Sequence, residues 1–272
     1  MPWDGGACPV FADGAEQPLG EEDALTLIEM LENSARQFPD RAAIVSGSRA
    51  ISYTDLLRQS RAVASWLASA GLRKGGRVAL LLRKTPEAII SFLGVAGVGG
   101  VAFPVNYNQP IPDIQALLDL LKPAAVILDG EFLPLLAKLK LSCARDKVVV
   151  VGEAAPEPFD AWNDIVNTPN PAVPNVRLLD DDAVYLNITS GTTGLSKAAI
   201  TTHANIYWNT RASVECLALT PNDVHLIMFP VFVHPHELFA RPLYLGGTTV
   251  LLDSIAPGPM GRAIETHRVT CL

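Results

Sequence analysis

From Ala88 to Val105 the chain reads AIISFLGVAGVGGVAFPV, apolar throughout apart from Ser91. So long an apolar run has to leave water, and two arrangements achieve that. One is a membrane span, for which about 20 residues is the usual helical length. The other is a buried helix followed by a buried strand inside a globular core. Four glycines, Gly94, Gly97, Gly99 and Gly100, together with Pro104, weaken a continuous spanning helix. They fit the second arrangement, a helix from Pro86 with Thr85 as N-cap, a glycine turn, and a strand over Val101 to Val105. A strand apolar at every position is covered on both faces, as strands of parallel sheets are. The run therefore predicts a parallel sheet flanked by helices, with no membrane span.

The rest of the chain repeats that alternation. Thr26 and Glu29 stand at capping-box spacing, and Leu25, Ile28, Leu31, Ala35 and Phe38 recur at helical spacing as far as Pro39. Two short strands, AAIVS and AISY, flank Gly47, and a helix is expected after Thr54 and up to Gly71. RVALLL, AAVILD and KVVVV read as further strands, with helical patterns over Ile114 to Leu121 and near Pro134 to Leu139. The passage GEAAPEPFDAWNDIVNTPNPAVPN carries five prolines and reads as a surface crossing between two layers or lobes. Beyond it come AVYLNI, AAIT, a helix from His203 to Leu217, VHLIMF, a helical stretch near Glu237 to Leu245, and TTVLL. This order predicts an α/β fold of layered, mostly parallel sheets with flanking helices. Residues 1–22 show no apolar period and are expected to form a flexible leader, followed by α/β subdomains over 23–175 and 176–272.

Composition narrows the partners. With 49% hydrophobic and 18% charged residues, the 272-residue chain has the makeup of a globular protein. Its net charge of -7, with Lys and Arg scattered, lacks the basic stripe that a nucleic-acid partner needs. Cys8, Cys143, Cys216 and Cys271 lie far apart with no CxxC pair. Neither a zinc site nor a disulfide framework is expected from that spacing, and a reducing, cytoplasmic setting is.

Between two of the predicted strands lies ITSGTTGLSKAAITTHAN, residues 188–205. Gly191 and Gly194 let the backbone turn tightly with its N–H groups inward, and Thr189, Ser190, Thr192 and Thr193 add hydroxyl donors. Lys197 supplies a flexible positive charge suited to a polyphosphate. The Walker pattern is absent, since the spacing is GxxGxxK and the lysine precedes a strand. On spacing alone the segment reads equally as a phosphate cradle or as a solvent-exposed Gly/Thr hairpin turn.

The same segment resembles the YTSGTTGxPKG signature of the adenylate-forming (AMP-binding) superfamily, which includes acyl-CoA synthetases, peptide-synthetase adenylation domains and luciferases. ISYTDLL, GVAGVGGVAFPVN and FPVFVHPHELFARPLYLGGTTVLL resemble further stretches of that family in the same order, so the likeness runs from about Leu25 to Leu272. The second of these is nearer in style to acyl- or aryl-CoA ligases. The resemblance implies the N-terminal part of the family's large domain, and a reaction of a carboxylic acid with ATP to give an acyl adenylate and pyrophosphate. Acyl transfer to a thiol, CoA or carrier-protein phosphopantetheine, would follow, and Mg2+ is implied by the clustered phosphate charge. By motif position, Thr189, Ser190, Gly191, Thr192, Thr193, Gly194 and Lys197 would grip the β- and γ-phosphates. The acyl pocket would lie at Phe232, Val233, His234 and His236.

Departures from the family pattern limit the transfer of roles. Ser196 and Ala198 replace the usual proline and glycine around the lysine. The aromatic-histidine pair falls on Phe232 and Val233, with His234 displaced by one, so no catalytic residue is assigned. His234 and His236 alternate onto one face of an extended segment, with Glu237 next in sequence, but Pro235 and the lack of a further ligand favour a pocket-edge loop, and no metal ligand is assigned. Asp180, Asp181 and Asp182 read as a solvated turn, and His203 as a helix-opening residue. The chain stops at AIETHRVTCL, where the resemblance predicts the lead-in to a further core strand. The family's adenine, ribose and hinge segments and its catalytic lysine would lie beyond. The expectation is thus the N-terminal part of a ligase, inactive alone and inclined to self-associate or to bind a complementary C-terminal fragment. The alternative is a non-catalytic nucleotide- or acyl-binding protein, or one half of a split assembly.

Overall fold

The computed structural model describes residues 23–152, 155–189 and 197–272, so the expected leader over residues 1–22 lies outside the described residues. Thr26 opens helix α1 (Leu27–Gln37) with a capping box: its Oγ1 accepts from Glu29 N at 3.3 Å, and its N–H donates to Glu29 Oε2 at 2.8 Å. Strands β1 (Ala42–Ser46) and β2 (Arg49–Ser52) form a hairpin around Gly47. Helix α2 (Tyr53–Ser69) starts two residues earlier than Thr54 predicts, because the Ser52 hydroxyl accepts from Asp55 N at 3.1 Å and caps it.

The predicted alternation then follows. Strand β3 (Arg77–Leu81) leads to α3 (Pro86–Gly97) and β4 (Val101–Pro104), and these to α4 (Ile111–Leu121) and β5 (Ala125–Asp129). Helix α5 (Leu133–Leu136) and strand β6 (Val148–Val151) come next. The proline-rich passage is more than a surface crossing. It contains β7 (Asp160–Ala161) and α6 (Trp162–Val166), whose Trp162, Ile165 and Val166 are buried. The remaining elements are β8 (Ala183–Thr189), β9 (Lys197–Thr202), α7 (His203–Cys216), β10 (Val224–Ile227), α8 (Ala240–Leu245), β11 (Thr248–Leu251) and α9 (Pro257–His267).

Among the described residues the strands form two sheets. One has the order β7-β6-β5-β3-β4-β8-β9, parallel except for the β8–β9 pair. The other has the order β10-β11-β1-β2, parallel except for β1–β2. Both draw strands from either side of residue 175, so that position is not the boundary between sheets. Cys271 bridges to His225 on the other side of β10.

Period two on β3 shows why its run is continuously apolar. Val78 and Leu80 enter the core shared with α1, α2 and α3, whereas Ala79 and Leu81 enter the core under α4 and α5. The four-stranded sheet is likewise two-faced. Ile44, Ile227 and Leu251 meet the central helices, and Leu226 and Val250 meet Ala263 of α9. Five layers result, with α1, α2, α3, α7 and α8 between the sheets. Every residue from Pro86 to Ala96 is buried, and no helix among the described residues is long and apolar enough to cross a membrane. Each fully buried Ile, Leu, Phe or Val there contributes about 1.5 to 3 kcal/mol. Among the described cysteines, Cys143 and Cys271 are free thiols.

Candidate functional site

The long Gly/Thr-rich motif is bracketed by paired strands. β8 and β9 run antiparallel, and Thr189 faces Lys197 at the last pair of their ladder. Ser190, Gly191, Thr192, Thr193 and Gly194 lie outside the described residues. What is fixed is where the hairpin stands. β8 lies parallel to β4 with Tyr185 beside Ala102, so the Thr189 end of β8 and the Pro104 end of β4 lie at the same edge of the sheet.

That edge is also where a crevice opens. The helix following β3 packs on one face of the sheet and the helix following β4 on the other, so the connections diverge. A cleft of about 420 Å³ lies there, lined by Pro104, Asn106, Asn187, Phe232, Val233 and His234, among others. Three of the four predicted acyl-pocket residues thus meet the strand carrying Thr189. No Asp, Glu, Lys or Arg lines the cleft among the described residues. It suits an uncharged body, aliphatic or aromatic, with Asn106 and Asn187 as neutral polar groups. Tyr107 extends the aromatic wall, stacking on Phe132 at 4.4 Å and meeting Phe232 edge-on at 5.5 Å.

His236 is placed differently. It sits behind the cleft wall, where its Nδ1 lies 2.7 Å from the Tyr185 hydroxyl and its ring stacks on the Tyr185 ring. Its Nε2 faces Glu237 Oε1 at 3.4 Å, and Glu237 Oε2 is paired with Arg241 at 2.6 Å. The hydrogen bond from His236, and next the charge of Arg241, hold the Glu237 carboxyl below the usual range. Burial pushes the pKa of the Tyr185 hydroxyl up, and that hydroxyl shares its hydrogen bond with Nδ1. This relay runs from the segment bearing His234 to the strand bearing Thr189.

Other polar groups at this end of the molecule escaped the sequence reading. Lys84, after β3, is buried and donates from Nζ to Met228 O at 2.8 Å, joining the strand ends of the two sheets. Burial lowers its pKa, and Asp253 partly offsets this. Asp129, at the end of β5, accepts from Arg83 N at 2.6 Å, and its burial raises the carboxyl pKa. An Arg-Lys pair closing an apolar strand was the visible signal for the first, whereas nothing local marks the second. Glu237 and Arg241 stand four apart in a helical stretch, a legible ion-pair spacing.

Residues 31–272 match the sequence profile of the family described as AMP-binding enzyme. The chain is 30% identical over 242 residues to 4-coumarate--CoA ligase 3 of Arabidopsis thaliana, covering 85% of this chain and 42% of that protein. It is 26% identical to crotonobetaine/carnitine--CoA ligase of Salmonella paratyphi A, covering 90% of this chain and 50% of that one. Among solved structures, apo MbtA of Mycobacterium smegmatis superposes with a TM-score of 0.81 at 25% identity, covering 91% of this chain and 47% of that one. Apo MatB of Rhodopseudomonas palustris superposes with a TM-score of 0.77 at 26% identity, covering 89% and 48% respectively. The chain spans about half the length of the curated relatives it matches. With its motif bracketed by β8 and β9 and its layered α/β architecture shared with these structures, the chain belongs to the AMP-binding enzyme family.

Proposed function

We propose that the chain is the N-terminal part of an ATP-dependent carboxylate-activating ligase. In the first step a carboxylate oxygen attacks the α-phosphorus of ATP, giving an acyl adenylate and pyrophosphate. In the second a thiol, that of CoA or of a carrier-bound phosphopantetheine, takes the acyl group and AMP leaves. The observation that supports this reading is the shared sheet edge, where the hairpin bounded by Thr189 and Lys197 stands beside a neutral cleft.

The division of labour follows from charge. A cleft lined by Phe232, Val233, Asn106 and Asn187 accepts the body of the acid but offers no counter-ion for its carboxylate. Positive charge and N–H donors must come from the phosphate side, the role assigned to Thr189, Ser190, Gly191, Thr192, Thr193, Gly194 and Lys197. Mg2+ would lessen the repulsion between carboxylate and triphosphate, and no residue of this chain is assigned to it. The hydrogen-bonded run Tyr185, His236 and Glu237 would hold the 232–234 segment against β8. ATP and a cellular thiol as co-substrates fit a cytoplasmic setting.

Pyrophosphate exchange into ATP, measured with a panel of aliphatic and aromatic carboxylic acids, tests the proposal. Acid-dependent exchange is expected when the chain is combined with a separately expressed C-terminal half of the family domain. Tight acid binding with no exchange under any such combination would favour a non-catalytic binding protein instead.

A further inference from the structure

A second groove lies away from the proposed site, on the outer side of α1 and α2. Its volume is about 640 Å³, within the range of small-molecule sites. Glu32 and Arg36 of α1 form one wall and Leu57, Arg58 and Arg61 of α2 another, with the segment holding Pro171 and Val173 as the third. Prolines at 169, 171 and 174 stiffen that third wall. A smaller cavity shares Glu32, Leu57, Arg61 and Val173 with it and continues inward to the apolar Ile28, Leu31 and Leu93.

The charges in this groove do not cancel. Arg61 pairs with Glu32 at 2.7 Å, and Arg58 pairs with Asp55 at 3.3 Å while donating to Val166 O at 2.6 Å. Among the described residues, Arg36 donates only to the neutral Asn33 Oδ1, at 3.2 Å. One guanidinium is therefore left without a carboxylate, in a chain whose net charge is -7. Beneath the groove floor, Arg61 Nε and Ser60 Oγ are buried without a hydrogen-bond partner among the described residues, and Ser60 lines the smaller cavity. Beside them Val173 presents an apolar side chain that is 63% exposed.

An excess of one cation beside an apolar wall describes a ligand with one negative charge and a short apolar tail. We propose that this groove binds a small organic monocarboxylate, with its carboxylate on the guanidinium groups at the mouth and its tail against Leu57 and Val173. Guanidinium forks match carboxylate geometry, and the apolar wall of Leu57 and Val173 rewards an organic tail that inorganic phosphate lacks. The site is independent of the ligase assignment, because none of its residues lines the cleft at the sheet edge.

The full chain, labelled with nitrogen-15, would be titrated with acetate, butyrate, benzoate and inorganic phosphate at constant ionic strength. Butyrate and benzoate are expected to bind more tightly than acetate or phosphate and to shift the backbone amides of Glu32 to Arg36 and Leu57 to Arg61. Arg36→Gln, an exposed helix position whose exchange leaves the core untouched, should weaken butyrate binding by about tenfold. Val173→Asn should erase the preference for butyrate over acetate while leaving acetate binding unchanged. Amide shifts confined to residues 232–234, phosphate binding as tightly as butyrate, or undiminished affinity in Arg36→Gln would each overturn the proposal.

Discussion

His203 carries more of the fold than its place in the sequence announces. It opens α7, is 1% exposed, and its Nδ1 accepts from Leu27 N at 3.0 Å, satisfying a donor in the first turn of α1. Burial pushes its pKa down to about 4 against the opposing pull of Asp182, so the imidazole stays neutral and keeps its acceptor. In the unfolded chain the same group titrates near 6.5. Between those two values an acidifying solution protonates the unfolded chain and not the folded one, so stability falls as pH drops through that window, by roughly 3 kcal/mol for this group. His225, also buried and pushed down to about 4, acts in the same direction. Urea midpoints are expected to be lower near pH 5 than near neutrality, and His203→Gln should flatten that slope; an unchanged slope would show that the linkage lies elsewhere. Lys197 belongs to the same scale. With the C-terminal half supplied, Lys197→Ala should lower adenylation by an amount worth about 1.5 to 3 kcal/mol, leaving affinity for the carboxylic acid nearly unchanged. Single-turnover kinetics beside equilibrium acid binding would separate the two, and equal losses would count against a phosphate role. Phe232, Val233 and His234 were legible as pocket residues because they sit in a motif. Tyr185 and Asn187 were not, because their positions depend on strand phase and on a partner about fifty residues away.

Elements with both faces covered were the most readable. The apolar run through α3 and β4 can be satisfied only by burial, so its pattern dictated its environment. Gly94 shows how tightly that burial is drawn: a Cβ there would stand 2.6 Å from the Val63 side chain, so α2 and α3 approach only because it is missing. Gly94→Ala should destabilise the protein by about 1 to 3 kcal/mol, readable as a shift in denaturant midpoint, and adding Val63→Ala should recover part of the loss. Additive effects would place the strain elsewhere. The two elements in the proline-rich passage, β7 and α6, escaped notice because each is too short for a period to show. The burial of Trp162, Ile165 and Val166 against neighbouring elements, together with the Arg58 hydrogen bond to Val166 O, holds α6 in place. The assignment of strands to sheets was equally hidden, since it rests on pairings such as Ile44 with Thr249 that leave no local trace.

At the scale of the molecule, Phe229 and Ile255 are 64% and 73% exposed just past β10 and β11, and Ile200 is 64% exposed on the edge strand β9. Apolar surface beside an open sheet edge is a template for association. Sedimentation at two concentrations should show an average mass that rises with concentration, and pyrophosphate exchange should appear only after mixing with a C-terminal half. A concentration-independent monomer with exchange activity of its own would refute both expectations. The four-stranded sheet has a further consequence, in the order of events during translation. Its first two strands are made early, yet β1 pairs with β11, and Ile44 waits for Thr249. At about 5 to 20 residues per second, that wait lasts roughly 10 to 40 seconds on the ribosome. Throughout it the β1–β2 hairpin keeps a bare strand edge, a template for mispairing that closes only when β11 emerges.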